Sequence, residues 1–442
     1  MSIERPVNWF GVLLIAGYLL VPFMSLPLLP SDYRPVSVIA FAVTGAAVML
    51  VRLIRRRMPW DEFLLGCFLL ICGFQTLGLV AVMNADFGKA IRHLVVLFLG
   101  ALSYVSLKLV FRRFGPDRAL RWMVWVFALI LVLGVVEVLC ILHVFPWSIK
   151  VALNNLLGGR SVGRVQLVTS EASWGAKVLL FGIPLFIFYL VRERKCRYLI
   201  ALIVAAVLFC FTLSMDGFLA AGLAVLFFGL VRYRDLLNHP KWCVVLVGVL
   251  LGLAGLFYGA YRAFPKGQSY FLARLHTLET LNVDRIRRLP QSDGSVFIRL
   301  YYPWLGVRMF LENPLGLGLG GYSQSFPAFL DRVSVDYSRF PEVMGDLRTQ
   351  TGDPKSLYAK ILAENGTYSG WVLLLFAAIH LYYLKLSNTY EIIPYRNLVV
   401  AWLAVNGAVF LQFGSFAYLP MWFTLALNAE LIRWRPVPAE SG

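Results

Sequence analysis

Residues 122–142 read WMVWVFALILVLGVVEVLCIL, an unbroken apolar run with a single charge, Glu137. As a helix, such a run rises about 30 Å, the thickness of bilayer hydrocarbon. Comparable runs recur, centred near residues 19, 45, 73, 99, 133, 183, 206, 223, 250, 377, 403 and 423. Composition agrees: of 442 residues, 59% are hydrophobic and 15% charged, with a mean hydropathy of +0.72. Soluble domains run nearer roughly 45–50% apolar and 25% charged. A soluble enzyme, a disordered tail and a secreted disulfide scaffold are therefore excluded. The expected fold is an all-α polytopic integral membrane protein of about twelve transmembrane helices. The first run, Phe10 to about Leu29, exceeds a signal-peptide core and lacks a clear cleavage site, so it reads as a retained span.

The net charge is +17, from 41 Lys and Arg against 24 Asp and Glu. Most basic residues sit at the ends of apolar runs, where they orient a membrane protein, so no nucleic-acid partner is indicated. With alternate loops assigned to opposite sides, 21 Lys and Arg fall on one side and six in the short loops of the other. The positive-inside rule then puts both termini in the cytoplasm. Residues 258–368 form one large loop on the outer face, with 13 basic and 10 acidic residues; its aromatics, glycines and short apolar patterns predict partly helical order. The chain thus divides into residues 1–257 with about nine spans, the loop 258–368, and residues 369–442 with three spans and a short cytoplasmic tail. The six Cys form no C-x-x-C pair and the five His are scattered. Neither a disulfide framework nor a metal site is indicated, and no cofactor is expected.

Basic residues in short outer loops need a reason. Gly158-Gly159-Arg160-Ser161-Val162-Gly163-Arg164 precedes Ser170-Glu171-Ala172-Ser173-Trp174 at the start of the sixth run. Arg160 and Arg164 suit bidentate binding of a phosphate or diphosphate, or equally a lipid headgroup. Glu171 is also an ordinary acid at a helix start, and Lys177 either serves function inside the span or snorkels outward. In the large loop, Arg299-Leu300-Tyr301-Tyr302-Pro303-Trp304 is followed by Arg308 and Asn313-Pro314-Leu315-Gly316-Leu317-Gly318-Leu319-Gly320-Gly321. On one continuous helix Arg299 and Arg308 point in opposite directions, and they reach one ligand only if Pro303 bends it. The glycines predict a loop of close backbone approach or a helix-ending turn. Finally, Lys355-Ser356 leads to Lys360 and Glu364 on one helical face; these last two read either as site residues or as an exposed ion pair.

The stretch from Phe297 to Trp371 resembles the shared core of the O-antigen ligase and O-antigen polymerase superfamily. The matching features are an Arg before an amphipathic helix, Asn-Pro-Leu-Gly-x-Gly, and a polar motif entering a helix that ends Glu-x-Gly. Ser170-Glu171-Ala172-Ser173 resembles the Ser-Glu-Pro-Ser of many polymerases, and two outer-loop spacings of theirs, Arg-x10-Gly and Arg-x9-Gly, fit Arg164 to Gly175 and Arg308 to Gly318. The ligases carry a His where this chain has Lys355-Ser356, and no His lies between His276 and His380, which favours polymerase.

The resemblance implies a fold like GT-C-type glycosyltransferases and an inverting glycosyl transfer on the periplasmic face of a bacterial inner membrane. The substrate would be an oligosaccharide repeat unit linked to undecaprenyl diphosphate, with membrane lipids and a chain-length regulator protein as further partners. Arg164 and Arg299 are the first candidates for clamping the diphosphate, Arg160 and Arg308 the second. Glu171, Glu364 or Lys355 is the candidate base. Lys177, Gly318 and Gly320 are candidates for substrate contact, and Tyr301, Tyr302 and Trp304 for stacking on sugars, although aromatics at an interface also serve as anchors. Two alternatives stay open: a ligase that moves lipid-linked glycan to lipid A–core, and a transporter of lipid-linked saccharide, for which Glu137 and Asp216 would be the intramembrane charges.

Overall fold

The computed structural model describes residues 9–25, 35–83, 86–159, 163–232, 293–387 and 392–434, with isolated helical positions between 248 and 291. Among these the protein is all-α, without strands. The first nine helices are α1 (Trp9–Leu19), α2 (Ser37–Ile54), α3 (Trp60–Met83), α4 (Phe87–Phe114), α5 (Pro116–Ile141), α6 (Trp147–Leu157), α7 (Ala172–Glu193), α8 (Cys196–Phe211) and α9 (Met215–Val231). After the undescribed stretch come α10 (Gly294–Glu312), α11 (Gly321–Leu330), α12 (Pro341–Thr349) and α13 (Leu357–Lys360). A π-turn (Ile361–Asn365) joins α13 to α14 (Gly366–Leu386), followed by α15 (Ile393–Phe410) and α16 (Leu419–Leu431).

Local chemistry sets the boundaries. The carboxylate of Asp86 accepts the Lys89 N–H at the start of α4, Ser214 caps α9, and Asp293 accepts the N–H groups of Ser295 and Val296 to start α10. Gly115, at φ +77°, ends α4, and Pro116 opens α5 at once.

Six of the described helices are long and apolar enough to cross a membrane: Ser37–Ile54, Trp60–Gly78, Phe87–Phe114, Pro116–Ile141, Ala172–Glu193 and the composite Leu357–Leu386. The run near 403 forms the 18-residue α15, and four others fold shorter than the sequence suggests. α1 has 11 residues, α8 has 16, α9 has 17 and α16 has 13. Sixteen residues rise only about 24 Å. The run centred near 250 lies outside the described residues. One helix, α6, has no counterpart among the expected runs. It turns Lys150 and Asn154 inward and leaves Ile149, Val151 and Leu156 exposed.

α4 and α15 each pack against several bundle helices. α4 packs between α2, α3 and α16, while α15 packs on α7, α9 and α16. Small residues allow close crossings: a Cβ on Gly45 of α2 would collide with the Leu102 carbonyl of α4. Trp402 stacks on Phe181 at 4.7 Å and donates its indole N–H to the Phe181 carbonyl at 2.7 Å. The helices α10–α12 form a cap with a core of its own, built on Phe297, Tyr302, Met309, Tyr322, Phe326 and Val343.

At the end of the bundle rich in Lys and Arg, charges pair across helices. Lys108 bonds Asp61 and, at 2.8 Å, Glu62, which also holds Arg52. Arg112 grips Glu430 at 2.7 and 3.1 Å, and Arg192 pairs with Asp117 at 2.5 Å. The loops at the opposite end meet one another and carry the candidate site.

Candidate functional site

The loop after α6 is pinned by α5 and by the end of α8. Glu137, in α5, accepts the Gln166 N–H at 2.9 Å and lies 3.4 Å from the Lys150 ammonium. Lys150 also donates to the Arg164 carbonyl at 2.6 Å, and the Val165 N–H donates to the Phe211 carbonyl at 3.1 Å. Gly175 lets α7 rise under this loop, since a Cβ there would lie 2.7 Å from the Gln166 carbonyl. Gly175 therefore has a packing reason of its own. The Arg164 side chain is half-buried, and no ion pair holds it among the described residues. Arg160 lies outside the described residues.

Glu171 occupies the N-cap position of α7, exposed, with the Ser173 hydroxyl donating to it at 3.2 Å. Lys177, a turn and a half on, does not snorkel. It is 3% exposed, and its ammonium sits 5.2 Å from the centre of the Phe413 ring. Asp216, Glu171 and Arg299 are the charged groups that act on it.

Arg299 lies on the first turns of α10. Its Nε and Nη2 each bond a different oxygen of Asp216 at 2.9 Å, a bidentate pair, and Nη1 contacts Ser295. Asp216 thus belongs to an ion pair with Arg299, and Glu137 is held by Lys150 and the Gln166 N–H; neither is an uncompensated charge. α10 continues as helix through Pro303, and Arg308 contacts Trp304 while Arg299 turns to Asp216. Arg308 is exposed and stacks 5.0 Å above Trp304, itself 41% exposed.

Three expected substrate contacts are corrected by burial and packing. Tyr302 has no exposed surface; its hydroxyl donates to Asp346 at 2.9 Å, and its carbonyl accepts from Tyr322 at 2.9 Å. Burial and the Asp346 carboxylate push its phenol above the ordinary range. It is a core residue of the cap and cannot stack on a sugar. Gly318, at φ +71°, spends its N–H on the Glu364 carbonyl at 2.9 Å. Gly320, at φ +83°, turns its N–H toward the Glu364 carboxylate, as does Tyr322. The close backbone approach of the glycine loop is to the π-turn of the same chain. Tyr301 stacks on Phe297 at 4.6 Å and remains half-exposed.

The second group surrounds that π-turn. Lys360 bonds Asp353 at 2.9 Å, and the Lys355 N–H, at φ +54°, donates to Asp353 at 3.3 Å. Burial alone would raise the Asp353 carboxyl, but the Lys360 ammonium outweighs it and holds the group below the usual carboxylate range. Lys360 and Glu364 are 6% and 1% exposed, so the exposed ion pair read from their spacing is not formed. The cap covers them, and Lys360 turns to Asp353 instead. Glu364 Oε2 is buried without a hydrogen-bond partner. His93, on the first turns of α4, adjoins this group: its charge interacts with Lys360 and Asp353, and a Cβ on Gly320 would lie 3.3 Å from its ring.

The corner after α15 joins the two groups. Ser356 donates to the Phe410 carbonyl at 3.1 Å, Phe413 carries Lys177 and Trp174 against its ring, and a Cβ on Gly414 would lie 2.8 Å from Asp353 Oδ2. Glu171, Lys177, Asp216 and Arg299 thus flank one side of Phe413-Gly414, with Asp353, Lys355, Lys360, Glu364 and His93 on the other. Sequence reading missed His93, which no local motif marks, and the pairing role of Asp216. Among the described residues no three His, Cys, Asp or Glu side chains are grouped to hold a metal ion. A scan against protein-family models and a search of curated proteins found no match to this chain.

Proposed function

We propose that this chain is a membrane glycosyltransferase of the outer face, polymerising oligosaccharide repeat units carried on undecaprenyl diphosphate in a bacterial inner membrane. The observation that carries the reading is the convergence of outer segments distant in sequence, 164–177, 216, 299 and 353–364, on one corner at residues 410–414. The twelve-span topology with cytoplasmic termini belongs to the same proposal. It is supported by the 21-to-six bias of basic residues and by contacts that join loops of one set at each end of the bundle.

The chemistry is a displacement at the anomeric carbon. The acceptor hydroxyl oxygen forms the new bond, the bond to the diphosphate oxygen breaks, and negative charge collects on the lipid diphosphate. Arg299, oriented by Asp216, and Arg164 are placed to stabilise that charge, with Lys177 adding to the local field. A positioned donor of this kind contributes about 3–4 kcal/mol. The acceptor proton passes to a carboxylate. Glu171, exposed at the N-cap of α7, is more accessible than Glu364, which the glycine loop covers. Lys355 is half-exposed beside Asp353 and serves better as a charge than as a base.

The ligase reading gains from one observation. A His is absent from the motif before Glu364, yet His93 reaches the same place from α4. A gel of surface glycan from a deletion strain, complemented with wild-type, Arg164→Ala or Arg299→Ala chain, separates the readings. Collapse of the ladder to core plus one repeat supports polymerisation. Loss of all core-attached glycan, with long chains left on the carrier, supports ligation. Normal ladders from both variants would sink the arginine clamp.

A further inference from the structure

At the opposite end of the bundle a crevice of about 270 Å³ opens between α5 and α8, with Phe186 of α7 at its floor. Arg121, Trp125 and Ala128 line it from α5, at spacings that share one helical face, and Arg197 and Ala201 line it from α8. The two arginines form its polar rim, 52% and 55% exposed. Below them the crevice is apolar: Ala128 and Ala201 leave a slot, and Trp125, 69% exposed, stands at its edge.

The rim is not neutral. Glu193 lies 3.5 Å from Arg121 and 3.3 Å from Arg197, and Asp117 lies 3.2 Å from Arg121. Segments 117–121 and 192–197, however, carry six Lys and Arg against these two acids. The excess positive charge sits where two apolar helices diverge, at the bundle end that the charge bias assigns to the cytoplasmic leaflet. Basic pockets between transmembrane helices on that side suit anionic lipid headgroups, and the planar guanidinium matches phosphate oxygens. An oligosaccharide has no hydroxyl-binding partners in the Ala128–Ala201 slot, whereas an acyl chain needs none.

We infer that this crevice binds an anionic phospholipid, its phosphate held by Arg121 and Arg197 and one acyl chain lying in the slot over Phe186. The inference rests on the membrane reading of the helices, not on glycosyl transfer, so either can fail without the other.

Native mass spectrometry of the full chain, released from detergent with phosphatidylglycerol, cardiolipin or phosphatidylcholine, tests it. The Arg121→Gln/Arg197→Gln double variant should lose anionic-lipid affinity by about 30-fold and leave phosphatidylcholine unchanged. Arg55→Gln/Arg57→Gln, which removes the same charge from exposed positions at the same end, should lose at most a few-fold. Equal losses in the two double variants would overturn a specific site. Ala128→Trp fills the slot without touching a charge and keeps the inference testable if the arginine variant does not fold. It should release the lipid, and unchanged retention would overturn the acyl placement. Inorganic phosphate should not displace the lipid at equal concentration; if it does, the rim recognises a free anion rather than a lipid.

Discussion

At the scale of single residues, the candidate site is made of charges whose partners were chosen by the fold. Arg299 uses one edge of its guanidinium on Asp216, which fixes the plane of the other edge. Arg299→Lys keeps the charge but loses the fork. Polymerisation of lipid-linked repeats by the purified chain should fall about 100-fold in this variant at normal protein level; near-normal turnover would mean that charge alone suffices. Asp353 and Lys360 make a second such pair, with side chains 33% and 8% exposed. Asp353→Asn leaves the Lys360 ammonium buried without its partner, at a cost of about 3 kcal/mol, read as a lower melting temperature in detergent. Because the Asp353 carboxyl is depressed, the pair's contribution is complete above its unfolded pKa of about 4 and is lost as pH falls through the lower folded value. Wild-type melting attributable to this pair should therefore not change between about pH 7 and 5; a melting gap between wild type and Asp353→Asn that closes in that interval would contradict this. Arg164 and Lys177 were legible in the sequence as basic groups in places that ordinarily exclude them, whereas Arg299, in a loop with 13 basic residues, was marked only by the motif it opens. His93 was not legible, because its neighbours Asp353 and Lys360 lie some 260 residues away and only packing joins them.

At the scale of elements, the long apolar helices could be read directly from their hydrophobic runs, since length and hydropathy are local properties. The short ones could not. Whether α8 and α9 cross with 16 and 17 residues depends on the turn that joins them, in which Ser214 caps α9 by accepting the Gly217 N–H at 3.1 Å. α6 escaped because it is short and buries Lys150 and Asn154 while leaving Ile149, Val151 and Leu156 exposed, against the usual pattern. The π-turn is likewise invisible to a helical-face argument, which placed Lys360 and Glu364 on a regular surface. Its partner is the glycine loop, where the N–H groups of Leu317 and Gly318 meet the carbonyls of Ala363 and Glu364 at 2.8 and 2.9 Å. Gly316 has φ +85°, and a Cβ there would lie 2.6 Å from the Glu364 carbonyl. Gly316→Ala should destabilise the chain by about 2 kcal/mol or more, combining backbone strain with the clash. Gly345→Ala, on α12 with open space around it, should not. Equal melting temperatures for the two variants would show that the loop does not hold the π-turn.

At the scale of the whole molecule, the two ends of the bundle solve different problems. The basic end commits part of its charge to interhelical pairs, Lys108 with Asp61 and Glu62, Arg112 with Glu430, and Arg192 with Asp117. The other end gathers loops under a cap that has its own apolar core. Charge counting along the sequence separates these ends because the bias is a sum over many loops and tolerates errors at single boundaries. It cannot say which loops touch, since contact depends on helix length and tilt. Sidedness has a direct test in the chain's own cysteines. Cys196 is exposed at the basic end, at the start of α8, while Cys72, Cys140 and Cys210 are buried. Ser338 lies in the cap beside Asp336 and Arg339, on the other face. In spheroplasts a membrane-impermeant maleimide should label Ser338→Cys at once. Labelling that is lost on Cys196→Ser should arise only after the membrane is opened. Reversal of these two results would turn the molecule over and place Arg164, Lys177 and Arg299 in the cytoplasm. A lipid-linked donor presented at the outer leaflet would then have no access to them.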